Sequence, residues 1–339
     1  QTILGDDIVY IRPGKDGKAY AVNVEQGIFG IIENVNPLDD PSIYQALTTP
    51  REIIFSNVLI HKKNPYWLGM GKQLPAKGKN FSGRWREGKK DISDNPILPA
   101  HRNARYTISI KELKNADPHL NHPAGVPVMG IIYGGRDSDT SPPVVQSFDW
   151  PHGVLISSCL ESETTAATLG QTGVRKFNPM ANLDFLTIPL GQYIQSHLDF
   201  ARRLKKCPLV FQTNYFLKEN GVYLNQKTDK KVWLLWMEGR IHNDFKAEIT
   251  PIGFLPRYED LTCLFKTVYQ RKYTKNEYQK QFSIRCANLL AKLKRIKTIL
   301  RKEDRIPAEI FKQITAQQQR LLATQQKFHS DIISPFCFR

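Results

Sequence analysis

The sequence predicts a mixed α/β fold with a helical C-terminal end. Apolar runs of strand length, separated by turn residues, occupy most of the chain up to about residue 240, whereas from about residue 275 apolar residues recur at helical spacing. At 339 residues, the chain is long enough for one large domain or two ordinary ones. Apolar residues make up 41% of it and charged residues 24%, as in a typical globular protein.

The predicted strands are short apolar runs bounded by turn residues. They span residues 3–11, 19–24, 53–60, 126–133, 154–159, 209–216 and 232–237. The first two are joined by a turn at residues 13–17, which is a hairpin pattern. Residues 70–100 are rich in Gly, Lys, Pro and Asn and are predicted to be mostly loop.

The C-terminal region shows a helical pattern. Leu289, Leu293, Ile296 and Leu300 fall on one helix face, and Pro307 opens a second helix that runs to about Phe328. We therefore expect a catalytic α/β domain at residues 1–262 and a helical region at residues 263–339.

Positive charge is concentrated in the C-terminal quarter. The net charge is +16, and from Phe265 onward 17 Lys and Arg face 5 Asp and Glu. A basic tail of this kind can bind nucleic acid. The same segment has an apolar stripe, which favours the solvated face of a packed helix over a nucleic-acid site.

Several classes of protein do not fit the sequence. It has no apolar run of about 18 residues and opens without a signal-peptide pattern, so no membrane partner is expected. Its five cysteines are odd in number and show no CxxC spacing, which favours a reducing cytoplasm over a disulfide framework or a zinc site. The chain begins at Gln1, without Met and inside an apolar run, so we expect a piece of a longer protein.

Three segments carry residues suited to phosphate chemistry. Asp6 and Asp7 adjoin an apolar strand, where paired carboxylates bind a divalent cation or simply begin a turn. Arg136 follows two glycines at a strand end and either holds phosphate or carboxylate or lies on a plain turn. Residues 161–173 are small and polar, as in a mobile lid or an ordinary surface loop. No GxxxxGK[ST] phosphate loop occurs in the chain.

Taken in order, these and other segments resemble the phosphoenolpyruvate carboxykinases, in the branch that contains the GTP-type and related pyrophosphate-type enzymes. The resemblance runs from Leu4 to about Leu322. Eight collinear segments carry it, at residues 5–8, 25–30, 57–69, 101–106, 125–136, 150–154, 162–167 and 250–254.

The resemblance implies a fold and a set of residue roles. The fold would be the mixed-sheet, P-loop kinase-like C-terminal domain of the family. Asp7 would ligate the catalytic Mn²⁺, and Asp6 would support the Mg²⁺ of the phosphate donor. Asn103 would bind the substrate carboxylate, Phe29 would pack at the substrate, and Arg105 and Arg136 would hold the transferring phosphoryl group. A closing lid over residues 162–173 would include Ser162, Ala166 and Ala167.

The segment that holds guanine in GTP-type members differs here. Thr228 stands where a stacking Phe is expected and Lys231 where an Asn is expected, while Lys227 and Lys230 add positive charge. Losing base contacts of roughly 1–3 kcal/mol each would weaken purine binding. The sequence therefore favours pyrophosphate as donor, bound by Lys227, Lys230 and Lys231, with a GTP site that binds the base differently as the alternative.

The function expected from the resemblance is a carboxy-lyase reaction. Oxaloacetate and pyrophosphate would be interconverted with phosphoenolpyruvate, phosphate and CO2 in the cytoplasm, with divalent metal as cofactor. The family's catalytic Lys and His, and its phosphate loop, precede the matched segment. We therefore expect an N-terminal companion from the same parent protein; the alternative is a non-catalytic fragment, active only beside that companion. No nucleic-acid partner is expected, and a homo-oligomer is left open.

Overall fold

A computed structural model describes residues 1–164 and 173–339 and divides the chain into two compact units. Unit 1 comprises Gln1–Arg12 and Tyr20–Pro127, and unit 2 comprises Pro13–Ala19 and Val128–Arg339. Two predicted lid residues, Ala166 and Ala167, lie outside the described residues, as does most of the predicted lid. Within the described ranges, no helix is both long enough and apolar enough to cross a membrane.

Unit 1 is built mainly from short strands. They are β1 (Val9–Pro13), β2 (Ala19–Asn23), β3 (Gly27–Ile31), β4 (Ile53–Ser56), β5 (Leu59–His61), β6 (Asn64–Tyr66), β7 (Lys77–Asn80), β8 (Gly83–Arg86), β9 (Arg105–Ser109) and β10 (Val126–Val128), with one helix, α1 (Pro41–Thr48), between β3 and β4. The strands form three sheets, in the orders β1-β2-β10, β3-β9-β4 and β6-β5-β7-β8.

The β3-β9-β4 sheet has one buried and one exposed face. Ile28 pairs with Ile108, and both are buried beside α1 and Trp67 in the core of unit 1. Because side chains alternate along a strand, the neighbouring residue Phe29 points to the opposite face, where it is exposed beside its partner Thr107. This alternation gives unit 1 an open sheet face.

Unit 2 contains the larger sheet and most of the helices. Its strands are β11 (Gly130–Gly134), β12 (Val144–Gln146), β13 (Glu161–Glu163), β14 (Arg175–Phe177), β15 (Leu209–Thr213), β16 (Lys218–Glu219), β17 (Val222–Tyr223), β18 (Ala247–Thr250), β19 (Gly253–Pro256), β20 (Ile284–Arg285) and β21 (Ile332–Ile333). Its helices are α2 (Trp150–Ser158), α3 (Leu190–Ala201), α4 (Lys230–His242), α5 (Tyr258–Tyr269), α6 (Lys275–Phe282), α7 (Cys286–Leu300) and α8 (Ala308–Phe328).

The central sheet of unit 2 is mixed, which confirms that part of the predicted fold class. Its order is β11-β15-β12-β19-β18, with β11 and β15 parallel and the other neighbours antiparallel. Helix α2 packs closely on β15, since a Cβ added at Gly153 would lie 2.6 Å from the Cβ of Val210. This contact requires glycine at position 153.

The helical C-terminal end is also confirmed, and it belongs to unit 2. Side chains from four C-terminal helices, including Phe265, Tyr278, Leu293 and Ile314, enter the same hydrophobic core as the sheet. The domain boundary expected after residue 262 falls inside α5. The two compact units instead divide the chain after Arg12, Ala19 and Pro127.

Two predicted strands are wrong, because residues 154–158 lie in α2, with Cys159 as its C-cap, and residues 232–237 lie in α4. Both runs are short and mostly apolar, so periodicity alone could not separate a strand from a helix. Helix α2 is largely buried, whereas α4 buries Trp233 and Trp236 and leaves Leu234 exposed. Start signals were present: the Asp149 side chain caps α2 by accepting the His152 N–H at 2.8 Å, and Gln226 with Asp229 forms a capping box just before α4.

The other strand predictions were partly right. The predicted loop at 70–100 contains the β7–β8 hairpin, and the apolar run 126–133 divides between β10 and β11, which belong to different sheets. The run 53–60 also divides, into β4 and β5, because Asn57 between them has a φ of 59° and interrupts extended structure. In the first run only Val9 onward forms a strand, and Val9 and its neighbours are exposed although the run is apolar.

Candidate active site

The two acidic residues predicted to bind metal lie at a turn in unit 1. Asp6 and Asp7 are exposed, and the backbone N–H groups of both donate to one oxygen of Glu25, at 2.9 and 2.7 Å. The Asp6 carboxylate in turn accepts the Phe29 N–H at 2.7 Å. Partial desolvation raises the pKa of Asp6, and the negative charges of Asp7 and Glu25 add to this shift.

The described residues do not form a complete metal site. Among them, no three or more His, Cys, Asp or Glu side chains are grouped so that they could hold a metal ion. One oxygen of Asp6 already accepts the Phe29 N–H, and both aspartates are exposed, so neither carboxylate needs a cation to compensate its burial. The acid pair is therefore an incomplete ligand set, and we derive no catalytic step from a metal.

Three predicted substrate residues meet on the open face of the β3-β9-β4 sheet. Arg105 begins β9 and pairs with Ile31 of β3, so its side chain lies on the same face as Phe29. The Arg105 guanidinium lies 5.2 Å from the centre of the Phe29 ring, and its Nε donates to Asn103 Oδ1 at 2.8 Å. The stacking and the hydrogen bond fix the plane of the guanidinium and leave its outer N–H groups able to bind an anion.

The neighbouring basic residue Arg102 has a different environment. It forms an ion pair with Glu33 at 2.9 Å, and its side chain is exposed. It therefore lies outside the group formed by Phe29, Asn103 and Arg105.

In unit 2, Arg136 follows the last residues of β11 and is held on two sides. Its Nη1 donates to the carbonyl oxygen of Glu163 at 3.1 Å, and its guanidinium lies 5.1 Å from the centre of the Phe216 ring. Its backbone N–H donates to Ser162 Oγ at 3.2 Å, which places the predicted residue Ser162 beside it. Partial burial lowers the pKa of Arg136 from the usual arginine value, because desolvation disfavours the charged form.

Glu163, which sequence reasoning did not single out as a site residue, organises the surroundings of Arg136. Its carboxylate pairs with Lys218 at 2.9 Å and also accepts the hydroxyl of Ser138. These contacts lower the pKa of Glu163 despite the opposing effect of burial. The Glu163–Lys218 pair joins residues 55 positions apart, so only the fold brings them together.

The three lysines predicted to bind the phosphate donor surround the start of α4. Lys227 lies in a 3₁₀ turn, Lys230 and Lys231 lie in the first helical turn, and all three are exposed. The turn is anchored by Asp229, whose buried carboxylate pairs with Arg271 at 3.2 Å. Burial raises the pKa of Asp229, and Arg271 opposes that shift.

An exposed aromatic pair lies just before these lysines, with Phe216 ahead of β16 and Tyr223 at the end of β17. The rings of Phe216 and Tyr223 are edge to face, with centroids 6.3 Å apart, and are 44% and 59% exposed. Sequence reasoning did not assign Tyr223 a role. The signal was its position beside a Gly-containing turn at Asn220 and Gly221, because a hairpin brings the residues that flank its turn together.

Comparison with known proteins gives a consistent result. A family profile described as the phosphoenolpyruvate carboxykinase C-terminal P-loop domain matches residues 1–320. The chain is 54% identical over 338 residues to a phosphoenolpyruvate carboxykinase (GTP) of Thermococcus kodakarensis, covering 99% of this chain and 54% of that protein. A protein of the same name from Pyrococcus horikoshii gives the same figures.

A more distant relative agrees. The phosphoenolpyruvate carboxykinase (GTP) of Saccharolobus solfataricus is 42% identical over 337 residues, covering 98% of this chain and 54% of that protein. The chain thus spans about half the length of the curated relatives it matches. Because the family profile extends over nearly all of its residues, the chain belongs to the phosphoenolpyruvate carboxykinase C-terminal P-loop domain family.

Proposed function

We propose that this chain carries substrate-binding residues of a GTP-dependent phosphoenolpyruvate carboxykinase. The observation that supports this most strongly is the 54% identity, over 338 residues, to archaeal proteins of that name. The reaction would convert oxaloacetate and GTP into phosphoenolpyruvate, GDP and CO2, and would run in both directions. A cytoplasmic location, expected from the sequence, remains a prediction.

The geometry of unit 1 supports a role in binding an anionic substrate. Arg105 presents a planar fork whose orientation is set by Phe29 and Asn103. A guanidinium held in this way binds carboxylate or phosphate oxygens bidentately and loses little entropy on binding. We assign Arg105 to the transferring phosphoryl group, Asn103 to the substrate carboxylate and Phe29 to packing against the substrate.

Unit 2 supplies a second guanidinium of the same kind. Arg136 is stacked on Phe216 and tied to the Glu163 carbonyl, so its charge is held in one place before any ligand arrives. Positive charge preorganised in this way stabilises the negative charge that develops on the phosphoryl oxygens and on the enolate formed when oxaloacetate loses CO2. We assign Arg136 to the phosphoryl group as well.

The phosphate donor is the point at which this proposal departs from the sequence-based expectation. The curated relatives are named for GTP, which favours the alternative of a differently built base site over pyrophosphate. The exposed aromatic side chains Phe216 and Tyr223 suit this alternative, because aromatic rings stack on purines. Lys227, Lys230 and Lys231 would then bind the phosphates of the nucleotide rather than free pyrophosphate.

The metal cofactor is proposed on the same basis but only in outline. Asp7 would supply one carboxylate oxygen to a divalent cation, Mn²⁺ or Mg²⁺, with Asp6 close by. The remaining ligands would come from groups outside the described acidic pair. Such a cation would supply charge stabilisation to the phosphoryl oxygens and the enolate.

The donor assignment is tested by carboxylating phosphoenolpyruvate in the presence of bicarbonate and one acceptor at a time. GDP, ADP and inorganic phosphate are compared, and oxaloacetate is measured by its reduction to malate in a coupled assay. We expect GDP to support the reaction at least about tenfold better than phosphate, equivalent to about 1.4 kcal/mol of transition-state binding. Activity with phosphate but not with GDP would contradict the proposal and restore the pyrophosphate interpretation.

A further inference from the structure

A buried ion pair involves Asp137, the residue that follows Arg136 in the chain. Lys292 Nζ is 2.7 Å from Asp137 Oδ2, and the two side chains are 5% and 1% exposed. The same aspartate oxygen accepts the hydroxyl of Ser141 at 2.5 Å, whereas Asp137 Oδ1 has no hydrogen-bond partner among the described residues. Lys292 is thus the buried cation that compensates the buried carboxylate.

The Asp137 backbone is held as firmly as its side chain. Its N–H donates to Asn214 Oδ1 at 3.2 Å, and the Asn214 amide donates to the Ser141 carbonyl at 2.8 Å. Asp137 directly follows Arg136, so both the side chain and the backbone of Asp137 are fixed next to the backbone that carries the Arg136 side chain.

Helix α7 also binds strand β13, whose residue Glu163 contacts the Arg136 guanidinium. Arg295, one turn beyond Lys292, forms a salt bridge with Glu161 at 2.7 Å. Glu161 begins β13, the strand that supplies the Glu163 carbonyl to the Arg136 guanidinium. Two residues of α7, Lys292 and Arg295, therefore bind the residue that follows Arg136 and the strand that contacts the Arg136 guanidinium.

Burying two charges is costly, and a hydrophobic pair of similar size is often as stable or more so. Fold stability alone therefore does not account for the choice of a lysine and an aspartate here. A directional contact between two charged groups does, however, define the position of the backbone that carries one of them.

We propose that Lys292 is a positioning residue for the phosphoryl-binding site: through its buried pair with Asp137 it sets the direction of the Arg136 guanidinium. This inference rests on the proposed function of Arg136. It makes helix α7 part of the machinery that determines affinity for the phosphorylated substrate.

The test uses four variants of the full natural polypeptide. Lys292→Met removes the cation but keeps the length of the side chain, Asp137→Asn removes the anion, and the double variant restores a neutral pair. Lys294→Met is the matched control, because Lys294 lies on the same helix but is exposed. For each protein, the thermal unfolding midpoint, the KM and kcat, and the dissociation constant of phosphoenolpyruvate are measured.

We expect Lys292→Met to lower the unfolding midpoint and to weaken phosphoenolpyruvate binding by about 10- to 100-fold, since small displacements of a positioned group have effects of that size. The double variant should recover most of the thermal stability, because no buried charge is left unpaired, yet still bind phosphoenolpyruvate weakly. If the double variant recovers binding together with stability, the pair only stabilises the fold and the inference is wrong.

A second readout separates this inference from the proposed function. The ¹⁵Nε–¹Hε NMR resonance of Arg136, assigned with an Arg136→Lys variant, reports the surroundings of the guanidinium without any substrate. We expect it to shift in Lys292→Met and in the double variant but not in Lys294→Met, even if the wild-type protein lacks carboxykinase activity. An unshifted resonance would overturn the positioning role, even if that activity is present.

Discussion

Replacing Gly135 by alanine should damage the Arg136 site with a single methyl group. Gly135 lies between the end of β11 and Arg136, and its N–H donates to the Thr213 carbonyl at 3.2 Å. An added Cβ would lie 2.6 Å from the carbonyl oxygen of Glu161, a backbone atom that cannot rotate away. The methyl group therefore pushes directly between the two segments that hold Arg136.

The size of the effect follows from this distance. Ordinary van der Waals contact begins at 3.4 Å, so the two backbone segments must separate by about 0.8 Å. Overpacking of this kind costs about 1–3 kcal/mol of stability. A displacement approaching 1 Å at a positioning group reduces catalytic efficiency by as much as about 100-fold. We expect both effects in Gly135→Ala.

The adjacent glycine provides the control. A Cβ at Gly134 would meet only the hydroxyl of Thr213, at 3.0 Å, so this side-chain atom would have to move by only about 0.4 Å to reach ordinary contact. Unfolding midpoints, kcat/KM and phosphoenolpyruvate binding are compared for wild type, Gly134→Ala and Gly135→Ala. We expect Gly134→Ala to remain within about threefold of wild type in binding, less than 1 kcal/mol by the usual conversion. If Gly135→Ala binds phosphoenolpyruvate as tightly as Gly134→Ala does, the close approach around Arg136 does not matter for function and the reasoning fails.

Two further predictions concern a substrate residue and a buried histidine. Arg105→Lys removes the guanidinium stacked on Phe29 and should raise the KM for phosphoenolpyruvate about tenfold or more, because a charge-assisted hydrogen bond of roughly 1.5–3 kcal/mol is lost. The control Arg102→Lys alters only an exposed ion pair and should leave this KM unchanged. Equal effects of the two substitutions would contradict our assignment of Arg105. Burial lowers the pKa of His152 from 6.5 to about 4, so its contribution to stability is complete above pH 6.5 and lost as pH falls towards 4. By pH 5 the free energy of unfolding of the wild type should therefore fall by about 2 kcal/mol, whereas that of His152→Phe should lack this decrease. Urea unfolding of both proteins at pH 7 and pH 5 measures the difference. Equal decreases in the two proteins would refute the role of His152.

The sequence predicted secondary structure best where local signals were sufficient. The spacing of Leu293, Ile296 and Leu300 identified α7, and Pro307 marked the start of α8. The apolar runs in α2 and α4 were predicted as strands because a short, mostly apolar run has no diagnostic period. Whether such a run is helix or strand is decided by its caps and by its tertiary packing.

The residues of the candidate site also divide into those that local sequence patterns predicted and those that only the fold brings together. Phe29, Asn103 and Arg105 were predicted as site residues from their segments, and the register of β3 with β9 brings them together. Glu163 and Lys218 were not predicted as a pair, because their contact depends on a chain separation of 55 residues. No local pattern encodes such a pair, and it becomes visible only when the two segments meet in the fold.

The buried pair of Lys292 with Asp137 could not be predicted from the sequence either. Lys292 was counted among the basic residues of a solvated helix face, yet its side chain is buried and paired with Asp137. A lysine within an apolar helix pattern is usually exposed, so its burial could be inferred only from a partner that lies 155 positions away.

The most direct test of the proposed function follows the phosphoryl group itself. Oxaloacetate, GTP and a divalent cation are incubated with the protein in its full natural form, and the phosphorus nuclei are observed by ³¹P NMR. The proposed function predicts that the γ-phosphate signal of GTP decreases while phosphoenolpyruvate and GDP form in equal amounts. Formation of inorganic phosphate without phosphoenolpyruvate, or phosphoenolpyruvate formation that requires pyrophosphate in place of GTP, would contradict it.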